Sequence, residues 1–352
     1  MNRILTSLLA IVLLASCAKT EVQYEPAGEI GFAPVSKIST KAAVPGTEYP
    51  TTLPMLVFAN AGLPDATYPD GYSEPYFVKA EFVHRSNKIF GGNPAYYWPN
   101  VKELIFSGVS RSGNIGMSSN APSRFVYEAN EYTVDSQPVT RYEIEIDNYR
   151  PTKGEETLGS NDLMWFQTTG PFAKQTAAID VEMKHACAWI TININGDAIT
   201  GAANTTWKIT EVMFENLSES GNVILGESAN WTPVAECTPV TLYGYPNKKP
   251  ITESPVDYTM YPNSSFYNLI VVPQSTKPLR ITYEFVSQVD GGPNGNDLVI
   301  TESKEIPLTY TGDQGWKAGT HYTYNITIGT KEILVDPTVT TWNPEVVTNV
   351  QI

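Results

Sequence analysis

Apolar and polar residues alternate with a period of two along most of this chain, and that rhythm confines it to β-structure. Tyr142, Ile144 and Ile146 interleave with Arg141, Glu143, Glu145 and Asp147. Ile190, Ile192 and Ile194 interleave with Thr191, Asn193 and Asn195. Further on, Ile281, Tyr283 and Phe285 alternate with Thr282 and Glu284, and Tyr322, Tyr324, Ile326 and Ile328 with Thr323, Asn325 and Thr327. Each segment reads as a strand with one dry and one wet face, the pattern of antiparallel sheets. Glycine, proline and asparagine clusters punctuate the strands, among them Pro69-Asp70-Gly71, Gly91-Gly92-Asn93-Pro94, Asn195-Gly196-Asp197 and Gly291-Gly292-Pro293-Asn294-Gly295. No segment keeps a helical period for three turns. An all-β sandwich architecture follows.

The N-terminus carries an address. Arg3 precedes a short apolar run, Leu8 to Leu14, and Ala15-Ser16 stand directly before Cys17. That is a secretory signal peptide over residues 1–16 ending in a lipobox. The run is well short of the ~20 residues a membrane-spanning helix needs. Cys17 is therefore the expected lipidation site, with a diacylglycerol on its thiol and a further acyl chain on the new N-terminus. Several chains on one residue anchor stably where a single chain does not. Residues 17–28 carry no strand pattern and read as a lipidated tether to the outer membrane.

Charge narrows the partners. The chain holds 23 Lys+Arg and 37 Asp+Glu, and loss of Arg3 with the signal takes the net charge from −14 to −15. An acidic surface argues against nucleic acid and against anionic lipid. With Cys17 used for lipid, Cys187 and Cys237 remain. They could pair outside the cytoplasm, but Cys187 lies in an apolar strand and reads equally as a small buried hydrophobe. The three histidines are scattered, no CxxC pair exists, and no metal or cofactor is expected. Acidic and amide oxygens between Asp290 and Asp297 could hold calcium, although the same residues suit a hairpin turn. No nucleophile elbow, HExxH, P-loop or dinucleotide fingerprint occurs, so an enzyme is not expected.

The stretch Thr168 to Lys174 breaks the strand pattern ahead of a new strand at Ile179 to Met183. A domain boundary is placed near residue 175, giving an N-terminal β-sandwich over 29–175 and a C-terminal one over 176–352.

Three segments resemble the fimbrillin family, the type V pilins of anaerobic Gram-negative bacteria. The first is Glu29-Ile30-Gly31-Phe32-Ala33-Pro34-Val35, a strand soon after the lipid cysteine. The second, Val181 to Ile190, contains Met183-Lys184-His185-Ala186-Cys187-Ala188 and is similar to the family's apolar-Lys-His-Ala-x-Ala strand. The third, Gly315 to Ile326, resembles a Trp-x-x-Gly-x-x-Tyr-x-Tyr strand near the family's C-terminus. The pair Tyr97-Trp98 followed by Pro99 also fits. The resemblance implies two tandem transthyretin-like antiparallel β-sandwich domains, export as a lipoprotein, and polymerisation with other pilin subunits into an adhesive surface fimbria. In the family a trypsin-like, arginine-specific processing protease removes the first strand, and a neighbour's C-terminal strand takes its place by β-augmentation.

On that expectation Ile30 and Phe32 face the core from the removable first strand. Lys37 and Lys41 are the candidate processing sites, because no arginine occurs between Arg3 and Arg85. Either the protease accepts lysine or this subunit keeps its first strand, as an anchor-type subunit would. The tail offers two apolar strands separated by Trp342-Asn343-Pro344. Ile333 to Val339 could equally finish the chain's own second domain or serve a neighbour. Val346 to Ile352 is read as the donor strand, with Val346, Val350 and Ile352 on one face beside Thr348. The alternative is a surface glycan-binding outer-membrane lipoprotein, for which Tyr96, Tyr97 and Trp98 could form a sugar platform.

Overall fold

The computed structural model describes residues 28–35, 49–67, 70–110, 124–134, 136–151, 162–197, 205–234, 237–244, 248–259, 269–287, 297–310, 315–329 and 333–341. All its regular elements are strands, as the alternation predicts.

The first half contributes β1 (Gly31–Val35), β2 (Met55–Gly62), β3 (Glu74–Ser86), β4 (Ile89–Gly92) and β5 (Glu103–Ser110). After these come β6 (Arg124–Val134), β7 (Gln137–Tyr149), β8 (Met164–Gln167), β9 (Ile179–Glu182) and β10 (Lys184–His185). The order β10-β8-β5-β2-β3-β4-β1-β9 begins and ends on one continuous stretch, because only Met183 separates β9 from β10. The sheet is therefore closed into a ring. Every pairing around it is antiparallel except β1 with β9, which is parallel. Strand β2 is buried on both faces. Ala59, opposite Phe106, points into the ring, while Phe58 packs on Phe125 and Tyr127 of the β6–β7 hairpin, with centroids 5.6 and 5.0 Å away.

The remaining strands are β11 (Ala188–Gly196), β12 (Thr205–Ser218), β13 (Gly221–Leu225), β14 (Ala229–Pro233), β15 (Cys237–Tyr243) and β16 (Lys249–Pro250). They are followed by β17 (Val256–Asp257), β18 (Leu269–Val271), β19 (Leu279–Ser287), β20 (Leu298–Ile306), β21 (Thr320–Ile328) and β22 (Ile333–Thr341). One sheet runs β17-β11-β21-β22 and another β15-β12-β19-β20. Ile192, Tyr324, Phe214 and Ile281 from these two sheets are fully buried in a shared core. The alternating residues lie as their sequence predicts: Ile190, Ile192 and Ile194 are buried, as are Tyr322, Tyr324, Ile326 and Ile328. Within the first of these sheets, β11 and β21 pair in parallel over eight residues.

One hairpin departs from chain order. β13 and β14 leave the second core and extend the β6–β7 hairpin into a four-stranded sheet, order β14-β13-β7-β6. Val223 and Leu225 are buried against the first core, and the Trp231 indole N–H donates to the Ala186 carbonyl at 2.5 Å. The two cores are thus tied by backbone pairing as well as by the chain itself. Phe172, just before residue 175, exchanges two backbone hydrogen bonds with Leu104.

Candidate functional site

The first strand occupies a two-sided slot. Gly31 and Phe32 pair with Gly91 and Phe90 of β4, while Phe32 to Val35 pair in parallel with Ile179 to Glu182 of β9. Pro34 falls after the β4 pairing has ended, where its missing N–H costs little. Ile30 N donates to Tyr96 O at 2.8 Å. Ile30 and Phe32 are fully buried, as expected of this strand. The Phe32 ring meets Phe82, Phe106 and Phe166 at 4.9, 5.2 and 5.5 Å, at the centre of the ring of strands. Such burial stabilises by ~1.5–3 kcal/mol per side chain, so an intact β1 is held firmly. Without β1, the ring opens between β4 and β9.

The opposite flank of the β9–β10 stretch is pinned. Lys184 and His185 pair with Trp165 and Met164, and Ala186 N donates to Leu163 O at 2.8 Å. His185 Nδ1 lies 2.5 Å from Asp162 Oδ2, with both side chains fully buried. Lys184 places its ammonium over the Trp165 ring, 4.9 Å from the centroid. Cys187 is buried as a free thiol. Burial first, then the Asp162 charge, pushes its pKa well above the usual thiol value. The Lys-His-Ala-Cys motif is therefore a seam in the first ring, and its acidic partner comes from 23 residues upstream.

The third motif braces the second core. The Trp316 indole N–H donates to Tyr324 Oη at 2.9 Å, and Lys317 N donates to Tyr322 Oη at 2.9 Å. Gly319 turns the chain at φ +65°, and its N–H donates to Cys187 O at 2.9 Å, joining the third motif to the second. Gly315 sits at φ +141°, and a Cβ there would come within 2.6 Å of Gln274 O. His321 stacks flat on Trp189, with centroids 3.5 Å apart and planes 6° from parallel. Burial lowers its pKa to about 4.

At the far end of the second core, β20 and β22 are the terminal strands of their respective sheets. Between them runs a groove of about 780 Å³ floored by Trp207, Tyr283 and Phe285 and walled by Ile300, Ile306, Ile333 and Val335, with Glu302 and Lys304 on the β20 side. Leu298, Val299 and Ile300 are about half exposed beside it. Ile333 to Val339 pairs along β21, so this segment completes the chain's own second body.

Other expected positions separate. Tyr97 is exposed and Tyr96 partly buried against Phe77, whereas Trp98 is buried in the core, so the three do not form one flat platform. Glu143, assigned to a wet face, is 2% exposed and accepts hydrogen bonds from Asn130 Nδ2 at 2.9 Å and Tyr132 Oη at 2.6 Å. Among the described residues no three His, Cys, Asp or Glu side chains converge as metal ligands, and no helix is long and apolar enough to cross a membrane. Cys17, Lys37, Lys41, Val346, Val350, Ile352 and the turn 288–296 lie outside the described residues.

A family model described as fimbrillin-like matches residues 58–342. A crystal structure of a fimbrial protein from Bacteroides vulgatus superposes with a TM-score of 0.56 at 13% identity, covering 89% of this chain and 99% of that one. Crystal structures of putative cell adhesion proteins are also similar. The one from Bacteroides uniformis has a TM-score of 0.45 at 14% identity, covering 90% and 99% of the two chains. The one from Bacteroides ovatus has a TM-score of 0.46 at 11% identity, covering 91% and 99%. No curated protein matches in sequence. The first structure shows a shared fold.

Proposed function

Since the chain belongs to the fimbrillin-like family, we propose that it is a non-enzymatic subunit of a cell-surface fimbria, exported as an outer-membrane lipoprotein and assembled by strand exchange. In this reading Cys17 carries the lipid. A protease that accepts lysine cuts at Lys41 or Lys37 and frees the first strand. Val346 to Ile352 of a neighbour then enters the vacated slot, and the resulting fimbria serves adhesion.

One observation carries the reading: β1 is a short strand held between β4 and β9 rather than at a sheet edge, with Phe32 fully buried at its centre. Its loss would expose two unpaired edges and an aromatic cavity, which a strand of alternating apolar residues could refill. Lys37 and Lys41 follow the strand within a few residues. Among the tail segments, Ile333 to Val339 is already spoken for by β21. That leaves the terminal heptapeptide as donor.

Limited trypsin treatment of the purified full chain tests this. The expected result is a new N-terminus at Ile38 or Ala42, followed by polymers visible in sedimentation and electron microscopy. A trimmed protein that stays monomeric and inert would overturn the exchange mechanism.

A further inference from the structure

The groove lies between the edges of β20 and β22, which pair with no further described strand, and Glu302 and Lys304 interrupt its apolar lining. In the first ring the comparable gap between β4 and β9 is filled by β1. In the second body no described strand fills it. The two edges run alongside each other: Ile300 and Ile333 both wall the groove. Beyond the other end of β20, Tyr310 packs on Tyr322 at 5.1 Å, and Tyr322 pairs with Val339.

We propose that in the unassembled subunit residues 346–352 fold back in cis along the free edge of β22, with Val346 and Val350 beside that strand and Ile352 reaching this groove next to Val335. The register supports this occupant. Chain leaves β22 at Thr341 and meets Asn343-Pro344, a turn signal, before the alternating segment begins. A hairpin with a four-residue loop places Val346 opposite Thr341, Thr348 opposite Val339, Val350 opposite Pro337 and Ile352 opposite Val335. Directly opposed residues share a face, and Val335 and Val339 pack against the second core. The apolar face of the tail therefore turns inward, toward the groove, while Asn349 and Gln351 turn out. A register shifted by one residue would bury those amides instead.

The seat itself does not depend on strand exchange; its consequence for assembly does. A tethered strand competes at high effective concentration with any neighbour, so the seat covers two aggregation-prone edges until assembly begins.

The test uses the full chain with Cys17→Ser and Cys237→Ser. Val339→Cys with Thr348→Cys should oxidise to a cross-linked monomer at every protein concentration, and Val339→Cys with Asn349→Cys should not. In parallel, deleting 346–352 should speed hydrogen exchange along β20 and β22 by ~10-fold or more. Cross-links found only in dimers would assign the groove to a second copy and overturn the proposal. Absence of cross-links with unchanged exchange would overturn it as well. A locked monomer that still polymerises after trimming would leave the seat standing and refute donation of this segment.

Discussion

His185 Nδ1 sits 2.5 Å from Asp162 Oδ2 inside the first core, with neither side chain reaching solvent. The contact fastens β10 beside β8, on the flank of the seam strand opposite the first strand. When β1 is absent, the seam strand keeps this second attachment, so the ring opens on one side only. Separating buried partners leaves an uncompensated polar group, which costs ~3–5 kcal/mol. Asp162→Asn and His185→Gln should each destabilise the full chain by about that much in urea unfolding. The double variant should lose less than the sum of the two. Additive losses would show that the two side chains act independently.

Phe32 fills the centre of the ring, so Phe32→Ala should cost ~3–5 kcal/mol. Val101, which is 72% exposed, provides the contrast, and Val101→Ala should stay within ~0.5 kcal/mol of the parent. Denaturant midpoints of the two variants check both. A Phe32→Ala loss as small as that of Val101→Ala would mean that β1 contributes little to the core.

His321 makes the second body acid-sensitive. Its folded pKa is about 4 against an ordinary 6.5, so the unfolded chain takes up a proton in this window that the folded chain refuses. Stability from this group is therefore complete above about 6.5 and falls as pH drops toward 4, by about 2–3 kcal/mol. His321→Gln should melt with a shallower loss of Tm between pH 7 and pH 4.5 than the parent. Parallel pH profiles would show that His321 titrates normally.

Cys187 should resist alkylation in the native protein at pH 8, because burial both blocks access and disfavours the thiolate. In a Cys17→Ser, Cys237→Ser chain, mass spectrometry should find no label on Cys187 until denaturant is added. Rapid native labelling would show that the seam opens locally.

Gly108 faces Phe166, and a Cβ there would lie 2.3 Å from its ring. Phe166 in turn packs on Phe32. Gly108→Ala should therefore lower Tm and raise the rate at which trypsin releases the first strand. An unchanged release rate would separate the Phe166 ring from retention of β1.

The strand character and the inward faces of this chain were legible in its alternation, because side chains on a pleated backbone point to opposite sides at every step. Ile192 and Tyr324 were identifiable as core on that basis alone, whereas Ile30 and Phe32 were assigned to it through the family resemblance. The motif around His185 was legible as a unit, but its role was not, since nothing in residues 183–188 names Asp162 as partner. Glu143 shows the limit of the pattern: alternation puts it on the wet face, and the neighbouring β6 strand covers it with Tyr132 and Asn130. The β13–β14 hairpin, the parallel pairing of β1 with β9 and the groove between β20 and β22 depend on which distant edges meet. Local propensity makes a strand and orients its faces. The choice of neighbour is decided by long-range burial, which only the folded chain expresses.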